Sequence, residues 1–91
     1  MPEKLIVGAA QIPTVPEDIE TNLETHLDYI AQARSRGCDL VVFPELSLTG
    51  YTLSDDSFRL ARSRHSKVVR QLAEASQGIT TQFGFIEEGP A

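Results

Sequence analysis

Glu45 has the strongest claim to chemistry in this chain. It follows Pro44 at the end of a short apolar run, Leu40-Val41-Val42-Phe43. Gly37-Cys38-Asp39 bounds that run on its other side. The pattern predicts a fully buried parallel strand. Ligands of open α/β sheets bind beyond the carboxyl ends of such strands. A carboxylate there can act as a general base or acid if burial or neighbours raise its pKa. A position beside Tyr51 and under the following loop is expected to supply that burial. The plainer reading of a lone Glu is a solvated or ion-paired carboxylate after a strand. The loop beyond it turns on Thr49-Gly50. Tyr51 is a candidate pocket residue, or a packing tyrosine with its hydroxyl bonded. Gly50 is expected to permit the backbone turn.

The elements that position Glu45 are legible from periodicity. Leu5–Ala10 is a continuous apolar run of strand length, closed by Pro13 and Pro16. Thr14 and Glu17 then have capping-box spacing, and Asp18 is an alternative N-cap. Ile19, Leu23, Leu27 and Ile30 form one apolar stripe. Asn22 lies within that helix, where its amide is expected to tie neighbouring backbone. Arg34 and Arg36 fall in the last turn and Gly37 supplies the stop. After the second strand, Ser54 or Asp55 can cap a second helical region. Phe58, Ala61, Val68, Val69, Leu72 and Ala73 supply its apolar positions, with a break near Ser63–Ser66 and an end at Gly78. Thr80–Ile86 has strand composition, with Gly84 inside it.

Composition excludes several function classes. The chain has 91 residues, enough for at most one small domain. Its net charge of −5 argues against nucleic acid or an anionic membrane as partner, since both need a basic footprint. Arg59, Arg62, Arg64, Lys67 and Arg70 form a basic stretch, read as a solvated helix face. No run approaches the length of a membrane span, and Leu5–Ala10 lacks the basic lead-in of a signal peptide. A reducing, cytoplasmic setting is the expectation. Cys38 is the single cysteine, so no intrachain disulfide forms. It is expected to be a small buried hydrophobe. His26 and His65 lack ligand spacing and are expected at the surface or its boundary. No metal site and no cofactor are expected.

The order is β-α-β-α-β, which calls for a parallel sheet in an α/β fold. All three strands are apolar along most of their length, so both sheet faces need cover. Two helices cover one face only. The other is left for a missing partner surface, supplied by the rest of a larger domain, a complementary chain or self-association.

These residues resemble the carbon–nitrogen hydrolase (nitrilase) superfamily. The resemblance rests on Val7-Gly8-Ala9-Ala10-Gln11-Ile12, Asn22, and Gly37 through Glu45. Leu48-Thr49-Gly50-Tyr51 and Gly84-Phe85 with the Glu87-Glu88 that follows also fit, in order from about Leu5 to Glu88. The resemblance implies an α-β-β-α sandwich, of which residues 1–91 are the N-terminal part, opening with β-α-β-α-β. It implies a Glu-Lys-Cys triad in which Glu45 is base and then acid. The family's cysteine attacks a small amide, carbamoyl compound or nitrile, and its lysine steadies the tetrahedral intermediate. It also implies association of copies through outer helices.

The chain departs from that pattern in one respect. The family's lysine and cysteine come well after the glutamate, whereas the lysines here are Lys4 and Lys67, and Cys38 precedes Glu45. None of them can be carried over. Two main readings follow. One is a hydrolase fragment that supplies only the base. The other is a non-catalytic interaction or assembly module. A third, a flavodoxin-like binding domain, lacks the glycine-rich phosphate loop after the first strand.

Overall fold

The computed structural model describes residues 5–50, 62 and 66–86. In chain order the elements are β1 (Val7–Ala9), α1 (Ile19–Ser35), β2 (Leu40–Val42), α2 (Lys67–Ala75) and β3 (Thr80–Gln82). The strands form one parallel sheet of order β1-β2-β3. This is the α/β alternation expected from the sequence.

Register decides which side chains share a face. Gly8, Val41 and Thr81 are paired across the sheet, so the side chains of Val41 and Thr81 point the same way, over the Gly8 backbone. Val41 is only 2% exposed and joins a core with Ile30, Leu72 and Ile79. Both helices lie over this face and pack against each other. Val7, Leu40 and Thr80 point to the opposite face, and so do Ala9, Val42 and Gln82. That face is poorly covered: Val7 is 51% exposed, and Ala9 and Gln82 are exposed too. The expected burial of the first strand is therefore not met by the described residues. Among the described residues the two helices cover one face only.

The strands are shorter than their apolar runs. β1 keeps three residues of Leu5–Ala10, and β2 ends at Val42. Phe43 is buried and still donates its N–H to Gln82 O (2.8 Å). β3 stops at Gln82, although strand composition runs to Ile86. Beyond it the backbone bonds elsewhere: Gly84 O accepts from Leu48 N–H (3.0 Å) and Ile86 O from Arg62 N–H (2.8 Å).

α1 begins at Asp18, not at Thr14. A capping box would place Glu17 inside the first turn, but Glu17 has φ 64, outside helical space. The Asp18 carboxylate accepts from Thr21 N–H (3.1 Å) and from the Thr21 hydroxyl (2.8 Å). These bonds, the backbone one foremost, hold the Asp18 carboxyl below its ordinary pKa. The stripe is buried as expected at Ile19, Leu23 and Ile30, with Leu27 half-buried against it. At the far end Gly37 (φ 75) bonds back to Arg34 O and Cys38 N–H to Ala33 O, a Schellman closure. The Arg34 guanidinium reaches across to Ala75 O and Gln77 O, carbonyls at the C-terminal end of α2.

α2 is shorter than the region that Ser54 or Asp55 would open. Ser66 caps it by accepting from Val69 N–H (3.4 Å), in agreement with the expected break at Ser63–Ser66. Arg62 sits in a β-bridge, so no continuous helix runs through it. Ser54, Asp55, Phe58 and Ala61 lie outside the described residues, as do Arg59, Arg64 and His65. Of the basic stretch, Lys67 and Arg70 are exposed on α2.

Candidate functional site

β2 delivers the chain into a tight turn over residues 45–49, with Glu45 at its start. Ser47, Leu48, Thr49 and Gly50 are buried there, while Glu45 itself is exposed. Leu46 adopts φ 52, a left-handed conformation that costs a non-glycine residue about 1–2 kcal/mol. Such local strain survives only where the surroundings hold it.

Three parts of the fold hold this turn. From the β1–α1 loop, Glu17 N–H donates to Thr49 O (2.8 Å). From the tail of β3, Gly84 O accepts from Leu48 N–H, and a β-carbon on Gly84 would overlap the Leu46 backbone. Only glycine permits that approach. Gly50 (φ 69) plays the expected turn role, and a β-carbon there would crowd Pro16. From α1 come two fully buried side chains, Asn22 and His26.

Asn22 meets its expectation of tying backbone. Its Nδ2 donates to Val15 O (2.8 Å) and Leu48 O (2.9 Å), and its Oδ1 accepts from Val15 N–H (2.7 Å). One side chain thus joins the β1–α1 loop to the Glu45 turn.

His26 is a correction. It was expected at the surface or its boundary, yet it is fully buried. Nδ1 lies 2.5 Å from Asn22 O, which can only accept, so Nδ1 carries the proton. Nε2 then accepts from the Ser47 hydroxyl (2.7 Å), and Ser47 Oγ accepts from Gly84 N–H (3.4 Å). The ring stacks on Phe43 at 4.3 Å between centroids and meets Phe83 edge-on at 6.1 Å. The signal was present in the sequence. Position 26 is seven residues after Ile19 and four before Ile30, so it falls on the buried stripe.

Burial lowers the His26 pKa below its ordinary 6.5, and the bond to Asn22 O opposes that shift. The folded ring therefore resists a proton that the unfolded chain accepts. This contribution to stability is fully present above about pH 6.5 and is lost as pH falls toward the folded pKa. Urea unfolding between pH 8 and pH 5 should show stability falling on acidification, with His26→Gln flattening the slope. A wild-type slope equal to that of the variant would contradict this.

Cys38 and Lys67, neither of them expected as a catalytic residue, lie on other elements than the Glu45 turn. Cys38 is half-buried in the turn before β2, at the opposite end of that strand. The strand alone interposes about 10 Å. Lys67 is exposed at the start of α2, while Tyr51 and Lys4 lie outside the described residues. The burial of Glu45 expected from Tyr51 and the loop is not met by the described residues. A shallow cavity of about 160 Å³, lined by Gly8, Ala10, Tyr29, Arg36 and Cys38, lies against β1 and α1 and does not include Glu45. Among the described residues no three His, Cys, Asp or Glu side chains gather in one place, and no helix is long and apolar enough to cross a membrane.

Residues 6–89 match the family model for carbon-nitrogen hydrolase. The chain is also similar to three glutamine-dependent NAD(+) synthetases. It is 36% identical to that of Thermotoga maritima over 88 residues, covering 93% of this chain and 15% of the relative. Identity is 34% over 87 residues with the Xylella fastidiosa protein, covering 93% and 16%. It is 30% over 83 residues with that of Acinetobacter baylyi, covering 90% and 15%. The chain thus spans about 15% of the length of these curated relatives.

Proposed function

The chain belongs to the carbon–nitrogen hydrolase family, and on that premise we propose that residues 1–91 are the N-terminal part of one hydrolase domain with Glu45 as its general base. The three parallel strands and two helices are consistent with an incomplete nitrilase-like fold. The observation that carries the reading is the placement of Glu45 just past the carboxyl end of the central strand, on a turn pinned by buried polar bonds. That is where an open α/β sheet presents catalytic groups.

The substrate proposed is the side-chain amide of glutamine, by similarity to the glutamine-dependent relatives. Glu45 takes the proton of a cysteine thiol as sulfur attacks the amide carbon. It returns that proton to the departing ammonia, then takes one from the water that cleaves the thioester. The products are glutamate and ammonia, and the thiol is regenerated. A lysine ammonium steadies the oxyanion in both steps. Cysteine and lysine come from residues outside this chain. Those residues also cover the face of Val7, Leu40 and Val42 and complete the burial of Glu45. A cytoplasmic setting and association of copies through outer helices belong to the same proposal.

A second reading, a non-catalytic assembly module, draws on the same uncovered face and on Leu5 and Ile6, which are 68% and 49% exposed. Ammonia release separates the two. The complete protein containing these residues should hydrolyse glutamine in preference to simple nitriles and N-carbamoyl compounds, and the 91-residue chain alone should turn over none of them. Hydrolysis by the pure 91-residue chain would overturn the fragment reading. A complete protein with no lysine or cysteine beyond these residues, and no hydrolysis, would favour the module.

A further inference from the structure

The hydrolytic reading leaves unused a fully buried imidazole bonded at both ring nitrogens. We propose that His26 is a positioning residue, which through Ser47 fixes the turn that aims Glu45; this rests on the reading of Glu45 as the base. One imidazole touches the chain on both sides of that residue. Its face stacks on Phe43, two positions before Glu45, and its Nε2 is bonded to Ser47, two positions after it. Its edge meets Phe83, and Ser47 takes the N–H of Gly84. The backbone that could shift the carboxylate is thereby tied to α1 on one side and to the tail of β3 on the other. Asn22 O anchors the ring's second nitrogen within α1.

Two other roles fit less well. A hydroxyl 2.7 Å from an imidazole has the spacing of a nucleophile and its base. Yet Ser47 and His26 are both fully buried, and the serine oxygen is already engaged twice, so no reacting group reaches them. Simple core filling does not need this residue type. A buried imidazole requires partners for two nitrogens, and a leucine requires none. The left-handed Leu46 beside Glu45 is the kind of strained residue that its surroundings must hold in place.

A mutant cycle in the complete hydrolase containing these residues tests the proposal. Ser47→Ala, His26→Gln and the pair are made in the wild type and in Glu45→Gln. Glutamine hydrolysis is followed well below each variant's melting temperature. Each single variant should lower kcat by about tenfold to a hundredfold, as for a misplaced catalytic group, with KM little changed. The pair should cost no more than the worse single variant, because both cut one connection. Neither should lower the residual rate further in Glu45→Gln. Ser47→Thr, which restores the hydroxyl, should recover rate relative to Ser47→Ala. If His26→Gln does not fold, Ser47→Ala and Ser47→Thr carry the test.

Loss of melting temperature with kcat intact would overturn the positioning role. An equal loss of rate in both backgrounds would do the same. Failure of the base assignment looks different: Glu45→Gln alone would then leave the rate unchanged, and this proposal would fall with it.

Discussion

Replacing Glu45 with Gln in the complete hydrolase should lower kcat/KM for amide hydrolysis by about 10²–10⁴-fold, the usual worth of a positioned general base. Gln keeps the size and shape of the side chain but cannot take a proton from the thiol. The loss should fall on acylation and appear in kcat with little change in KM, since a proton transfer is made only in the transition state. Stability should hold, because Gln keeps the shape of the side chain and the bonds that fix its turn come from Asn22, His26 and Gly84. Single-turnover kinetics with a melting curve for each protein check both statements. An unchanged kcat/KM would reject the base assignment. A loss of rate matched by a loss of melting temperature would make Glu45 a structural residue.

Asn22→Ala should be the most damaging single change to this part of the fold. The amide makes three hydrogen bonds from a fully buried position. Truncation strands Val15 N–H and Leu48 O, while Val15 O keeps the Asp18 N–H (3.2 Å), and each buried polar group left unpaired costs about 1–3 kcal/mol. Water entering the new space recovers part of that, so the expected loss is about 2 kcal/mol. That is a large share of a small domain's stability. Denaturant unfolding should show a lower midpoint at an unchanged slope. Amide hydrogen exchange at Val15 should quicken, since its N–H loses its acceptor. A midpoint within experimental error of the wild type would show that the turn is held without Asn22.

What could be read from the sequence was whatever local periodicity governs. The run Leu40–Phe43 ending at Pro44 placed β2 and put Glu45 just beyond it. Gly37 and Gly78 were legible as helix ends because each helix had to stop before the next strand, and both adopt positive φ. Less was legible where distant parts of the chain meet. The run Thr80–Ile86 suits a strand, but Gly84 and Ile86 turn their carbonyls to Leu48 and Arg62, and that competition is invisible locally. Thr14 and Glu17 satisfied a spacing rule that the left-handed backbone at Glu17 overrules.

His26 was missed for another reason. Residue type alone suggests a surface histidine, whereas its phase on the helix puts it beside Asn22 on the buried face. Glu45 shows the limit of the candidate site. Its place at the strand end was legible, whereas the burial a base requires depends on groups that the described residues do not include.

The most direct test of the central claim is to find which cysteine becomes acylated. The complete protein is treated with an electrophilic glutamine analogue, digested, and the modified residue located by mass spectrometry. The account predicts a label on a cysteine outside this chain, with Cys38 unmodified and labelling slowed in Glu45→Gln. A label on Cys38, or labelling that Glu45→Gln leaves at the same rate, would contradict it.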